Sequence, residues 1–178
     1  MNEWDNEPDR LEFDHVGFKC LVLRPSEMKH LCGYVGLPKW HPYYGKHYNQ
    51  CLLGCSGEVS DFPPLKKRGI RQWKCTFDER DHPNLEMIIR VHGGLTFSQQ
   101  GDGETWDKDL WWLGFDCAHS GDLVPGMYEK YGVVLPERFT QLQHDEVYRN
   151  IDYIKNETMR LAEQLTATAI AERAFGNG

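Results

Sequence analysis

No run in this chain approaches the length of an apolar membrane span. Its acidic beginning, Met1-Asn2-Glu3-Trp4-Asp5, also lacks the apolar region of a secretory signal. A cytoplasmic protein with no membrane partner is therefore the expectation. Close cysteine pairs are scarce as well. Of the six cysteines only Cys51 and Cys55 sit near each other, as Cys-x3-Cys, and no second pair at matching spacing completes a zinc site. Without an oxidising destination they read as reduced thiols. Internal repeats and low-complexity tracts are absent, which excludes solenoid architectures. Positive charge is also in deficit: a net charge of −7 argues against long nucleic acid as a partner.

What is present suits one domain with one core, since 178 residues carry 40% hydrophobic and 12% aromatic side chains. Residues 1–14 hold six acids, Glu3, Asp5, Glu7, Asp9, Glu12 and Asp14, against Arg10, and read as a mobile acidic leader before a single domain over 15–178. Residues 39–74 are locally basic, with Lys39, Lys46, Lys66, Lys67, Arg68, Arg71 and Lys74 against Glu58 and Asp61. Such a patch suits either a small anion or a solvated loop.

Alternation predicts strands over Val16–Leu23, Leu31–Leu37, Arg71–Phe77, Leu85–Val91 and Leu110–Phe115, with a polar connection over Gln99–Asp109. A single helical turn is expected at Ser26–Lys29 and a short helix over Val124–Tyr131. Val147, Ile151, Ile154, Thr158, Leu161 and Leu165 recur at helical spacing and predict a long helix from about Asp145 into Ala167–Ala174. Its outer face would carry Asp152, Lys155, Glu157, Arg160 and Glu163. The fold class is α+β: a mostly antiparallel sheet with long loops and one long C-terminal helix.

Two apolar runs end in polar, glycine-containing corners. One is Met87–Val91 followed by His92-Gly93-Gly94-Leu95-Thr96; the other is Trp111–Phe115 followed by Asp116-Cys117-Ala118-His119-Ser120-Gly121-Asp122. Imidazoles and carboxylates in such corners bind a divalent metal such as manganese or zinc, or meet the polar groups of a nucleotide. The plainer alternative is that the aspartates cap turns and His92 satisfies a core hydrogen bond. A Cys117 nucleophile with His119 as its base is a further alternative. A third stretch, Pro38–Tyr48, packs Lys39, Trp40, His41, Tyr43, Lys46 and His47 into one loop that would face a ligand or pack on the core.

Gly33-Tyr34-Val35-Gly36-Leu37-Pro38 with His41-Pro42 and Tyr44-Gly45, then the His92–Thr96 and Trp111–Asp122 motifs, then Tyr148-Arg149-Asn150-Ile151-Asp152-Tyr153, together resemble a family of small proteins encoded by phages and prophages. The likeness covers most of the chain. It implies an accessory protein in the cytoplasm of an infected bacterium. By analogy with phage inhibitors of host immunity, it implies one that acts on a nucleotide second messenger.

The leading expectation is thus a protein that binds and sequesters a small nucleotide of cyclic or ADP-ribose type, without a cofactor. Lys39, Lys46 and His47 would meet phosphates and Trp40 or Tyr43 would stack on the base. His92, Gly93, Gly94, Thr96, Asp116, His119 and Asp122 would line the opposite wall. One alternative is a metal-dependent phosphodiesterase using His92, Asp116, His119 and Asp122 as ligands and base. Another is a protein–protein adaptor. A homo-oligomer formed through the long helix is open on this reading.

Overall fold

Val16 and Gly17 both take positive φ, 43° and 85°, between the paired residues His15 and Phe18. Two left-handed residues in a two-residue loop are what a tight hairpin turn with the right-handed strand twist requires. This turn joins β1 (Arg10–His15) to β2 (Phe18–Leu23). In the computed structural model, which describes residues 2–52, 84–131 and 146–175, the remaining elements are β3 (Cys32–Leu37), a helical turn α1 (Leu85–Ile88), β4 (Phe97–Gln100), β5 (Trp111–Asp116), α2 (Pro125–Tyr131) and α3 (Ile151–Phe175). The five strands form one antiparallel sheet in the order β1-β2-β3-β5-β4.

The centre of the sheet is covered on both faces. On one side α3 lies across it, burying Ile154, Leu161 and Leu165 with Val22, Val35, Leu113 and Phe115. The helix comes close because β3 carries Gly33, where a Cβ would stand 2.3 Å from Thr158 Oγ1 and 2.7 Å from the Phe115 ring. On the other side Leu21, Cys32, Tyr34 and Trp112 pack with Phe97, Trp106 and Leu110. The connection over 101–110 covers this face, and Asp102 folds it by accepting from the amides of Glu104, Thr105 and Trp106. Cys20, Cys32 and Cys117 are free thiols, and all three are buried, as is Cys51. Among the described residues no helix is long and apolar enough to cross a membrane.

The α+β class and the long C-terminal helix agree with the sequence reading, but several elements differ. The supposed leader includes β1, whose Leu11 and Phe13 pack on the core while Glu12 and Asp14 stay exposed. Ahead of it Glu3–Asn6 forms a 3-10 turn. The strand expected over Leu85–Val91 begins as helix, because the Asn84 side chain accepts from Met87 N and caps it. Leu85 and Ile89, four apart, are the buried pair. The connection expected from Gln99 starts only after β4. Helix α3 starts at Ile151, where the Asn150 side chain accepts from Tyr153 N. Val147 lies before it, bridged to Asp122. Glu157, assigned to the outer face, is buried. The strand expected over Arg71–Phe77 and the basic cluster Lys66-Lys67-Arg68 lie outside the described residues.

Candidate functional site

Beyond Asp116 the chain turns sharply, with Ala118 N donating to Asp116 Oδ1 (3.0 Å) and Asp122 N to His119 O (2.9 Å). This turn brings Asp122 back under the strand end. There Leu123 N donates to Val147 O and Val147 N to Gly121 O, which sets the residues after Val147 beside the carboxylate. The segment carrying His92 is fixed by α3. Gln164 bonds both the N–H and the C=O of Arg90, and Glu157 Oε2 accepts from His92 N at 3.2 Å. The sequence thus delivers its two polar corners to one place, although His92 follows a helical turn rather than a strand.

Asp122 is the centre of the site, with a side chain only 1% exposed. Its Oδ2 accepts from His92 Nε2 (2.7 Å) and His119 N (3.1 Å), and its Oδ1 accepts from Arg149 Nε (2.9 Å). Burial alone would raise its pKa. The bonds from Arg149, His92 and the His119 amide outweigh that and hold the carboxyl below the ordinary range. With Nε2 donating to Asp122, His92 Nδ1 is free to accept from the Tyr153 hydroxyl, 3.0 Å away. Arg149 in turn lies over the Tyr153 ring, 5.0 Å from its centroid.

The His119 ring stands edge-on to that of His92, with centroids 5.7 Å apart. Its Nδ1 lies 3.7 Å from Asp116 Oδ1 and 3.8 Å from Asp122 Oδ2, too far for a hydrogen bond, and the atom is buried without a partner. Gly93 permits this approach. It sits at φ +65°, and a Cβ there would lie 2.0 Å from His119 Cε1. Asp116 is anchored by Thr96 Oγ1 at 2.8 Å. One ligand atom each from His92, His119 and Asp122 lies within 4.8 Å of the others. Two imidazoles and one carboxylate are a donor set suited to zinc or manganese, and three protein ligands leave room for water. As a ligand through Nε2, His92 would take the other tautomer, with Nδ1–H donating to the Tyr153 oxygen; that bond and the one from Arg149 to Asp122 would steady the ligands from behind.

The aromatic loop lies elsewhere. It follows Leu37, which pairs with Trp111, whereas Cys32 at the other end of β3 pairs with Asp116. The two ends are about 17 Å apart along the strand at ~3.4 Å per residue. His41 is 3% exposed, with Nε2 donating to Leu165 O and Nδ1 accepting from Tyr43 N; Tyr43 is in the core. These two are packing residues, not ligand-facing ones. Trp40 is 56% exposed and stacks on Phe18, Lys46 O accepts from Trp111 Nε1, and His47 Nδ1 meets Ser98 Oγ. Lys39 is exposed beside them. The loop and the His92–Asp122 group thus stand at opposite ends of β3 and β5. Cys117 is no nucleophile either, since its thiol is buried and burial, followed by the charge of Asp122, pushes its pKa up.

Arg149, Tyr153 and Glu157 were not singled out in the sequence as site residues. Only part of this left a signal: Tyr153 and Glu157 stand four apart on one face of α3, whereas Arg149 precedes the helix. Comparison of the chain with protein-family models, curated proteins and solved structures finds no match.

Proposed function

We propose that the protein is a divalent-metal-dependent hydrolase of a small phosphodiester, with His92, His119 and Asp122 as the metal ligands. The observation that carries this reading is the convergence of three ligand atoms within 4.8 Å, one of them the buried and unpartnered Nδ1 of His119. His92, His119 and Asp122 would hold the ion, and the chemistry it would supply is a bound water of lowered pKa, a hydroxide source at neutral pH. Asp116, 30% exposed and 3.7 Å from the His119 ring, is within reach to accept the proton of that water. That hydroxide would attack phosphorus as the bond to the leaving oxygen breaks, and the proton accepted by Asp116 would pass to that oxygen, which departs as an alcohol. Taken with the resemblance to phage proteins, the substrate class is a nucleotide second messenger. Cleavage is better supported than sequestration, because sequestration needed the Lys39–His47 loop as a second wall.

The test is calorimetric titration with zinc and with manganese, followed by incubation with bis-p-nitrophenyl phosphate and a panel of cyclic di- and trinucleotides. The expected result is one ion bound, product formed only with metal, and loss of both in His119→Ala. A protein that binds neither ion, or that returns every nucleotide intact with metal present, is not this enzyme.

A further inference from the structure

We infer that Arg149 is the phosphoryl-binding residue of this site, so that the group accepted beside the metal ligands is a tetrahedral oxyanion rather than a carboxyl ester or amide. The inference rests on the metal reading above. It comes from the way one carboxylate is shared. Asp122 turns Oδ2 toward His92 and His119, and Oδ1 toward Arg149 Nε. An ion held on the first oxygen and the guanidinium held on the second are then two cations one carboxylate apart. A phosphoryl group has two terminal oxygens at a comparable spacing and can bridge them, whereas a carboxyl ester or amide offers a single carbonyl oxygen.

The state of the guanidinium fits this role. It is fixed along its Nε edge by Asp122 and across one face by the Tyr153 ring. Among the described residues none accepts from Nη1 or Nη2, and the side chain is 28% exposed. A planar fork with one edge anchored and the other open is the usual arrangement for binding a phosphate oxygen pair. Its position is set by the backbone, since the bridge between Val147 and Asp122 and the Asn150 cap of α3 flank it on either side. Asp122 thereby orients the arginine while it serves the metal.

The experiment uses the full chain, with inorganic phosphate as the probe and acetamide, which offers a single carbonyl oxygen, as the control. Zinc affinity is measured first, by competition with a chromophoric chelator, for the wild type and for Arg149→Gln and Arg149→Lys. Phosphate is then titrated into each zinc-saturated protein. The expected result is phosphate binding by the wild type that falls at least tenfold in both variants, with acetamide bound weakly and equally by all three. The lysine variant keeps the charge, so it decides the matter if the glutamine variant does not fold. A wild-type protein that takes up no zinc overturns the metal reading and this inference together. Zinc uptake with phosphate binding that is absent, or that is unchanged in the variants, overturns this inference alone.

Discussion

Glu7 and Arg24 form an ion pair at 2.8 Å with side chains only 10% and 6% exposed, although Glu7 belongs to the most acidic stretch of the chain. The same carboxylate accepts from the Tyr148 hydroxyl and from Ile151 N, the first residue of α3. The N-terminal segment is thus a strap across the residues that flank Arg149. Trp4 adds an edge contact to Tyr148, and Asn150 donates to Glu3.

Replacing Glu7 by alanine removes the buried carboxylate shared by Arg24, Tyr148 and the Ile151 amide, and leaves Arg24 with Asp9 and the Lys29 carbonyl. The expected loss is about 3 kcal/mol, in the range for breaking a buried pair. Glu7→Gln, which still offers an acceptor, should lose about 1–2 kcal/mol. Urea denaturation followed by circular dichroism measures both. A wild-type midpoint for Glu7→Ala would mean the strap contributes nothing.

Asp122 links the site to acid stability. Burial raises its carboxyl, but the bonds from Arg149, His92 and the His119 amide depress it below the ordinary aspartate value of 3.8. The folded state therefore holds this proton less tightly than the unfolded chain does. The stabilisation is fully present above that ordinary value and is lost as pH falls through the lower folded one. Asp122→Asn should flatten this acid limb while lowering stability at neutral pH. Urea midpoints recorded from pH 6 down to pH 2.5 show it, and parallel curves for the two proteins would contradict it.

Val16 is a β-branched residue held at φ 43° in the β1–β2 turn, and it is exposed. Valine is among the least suited residues there and asparagine among the best. Val16→Asn should raise stability by about 0.5–1 kcal/mol, or a melting temperature about 2 °C higher. An unchanged or lower melting temperature would show that the turn is not strained.

The parts of the fold that were legible in the sequence are those where burial and local pattern agree. β2, β3 and β5 are apolar runs bounded by breakers, and α3 repeats Ile154, Thr158, Leu161 and Leu165 at helical spacing. The corners holding His92 and Asp122 were legible because histidine, aspartate and glycine cluster there. β1 was hidden because Glu12 and Asp14, on its solvent face, outweigh Leu11 and Phe13 in any count of charge. His41 and Tyr43 read as ligand-facing because a polar aromatic side chain satisfied by a distant carbonyl, as His41 is by Leu165, looks the same in sequence as one reaching for a ligand. Glu157 read as a surface residue because its partner, the His92 amide, lies 65 positions away. Long-range satisfaction of polar groups leaves no local trace.

His92, His119 and Asp122 meet only when the segment clasped to α3 is brought against the turn after β5. An unfolded chain offers no such convergence, so an ion held there is bound by the native protein alone. At free ion a thousandfold above the dissociation constant, occupancy adds about 4 kcal/mol to the unfolding free energy. The metal would then fasten distant parts of the chain as well as activate water. A cell's supply of that ion would set how long the protein resists unfolding and proteolysis, as well as how fast it works.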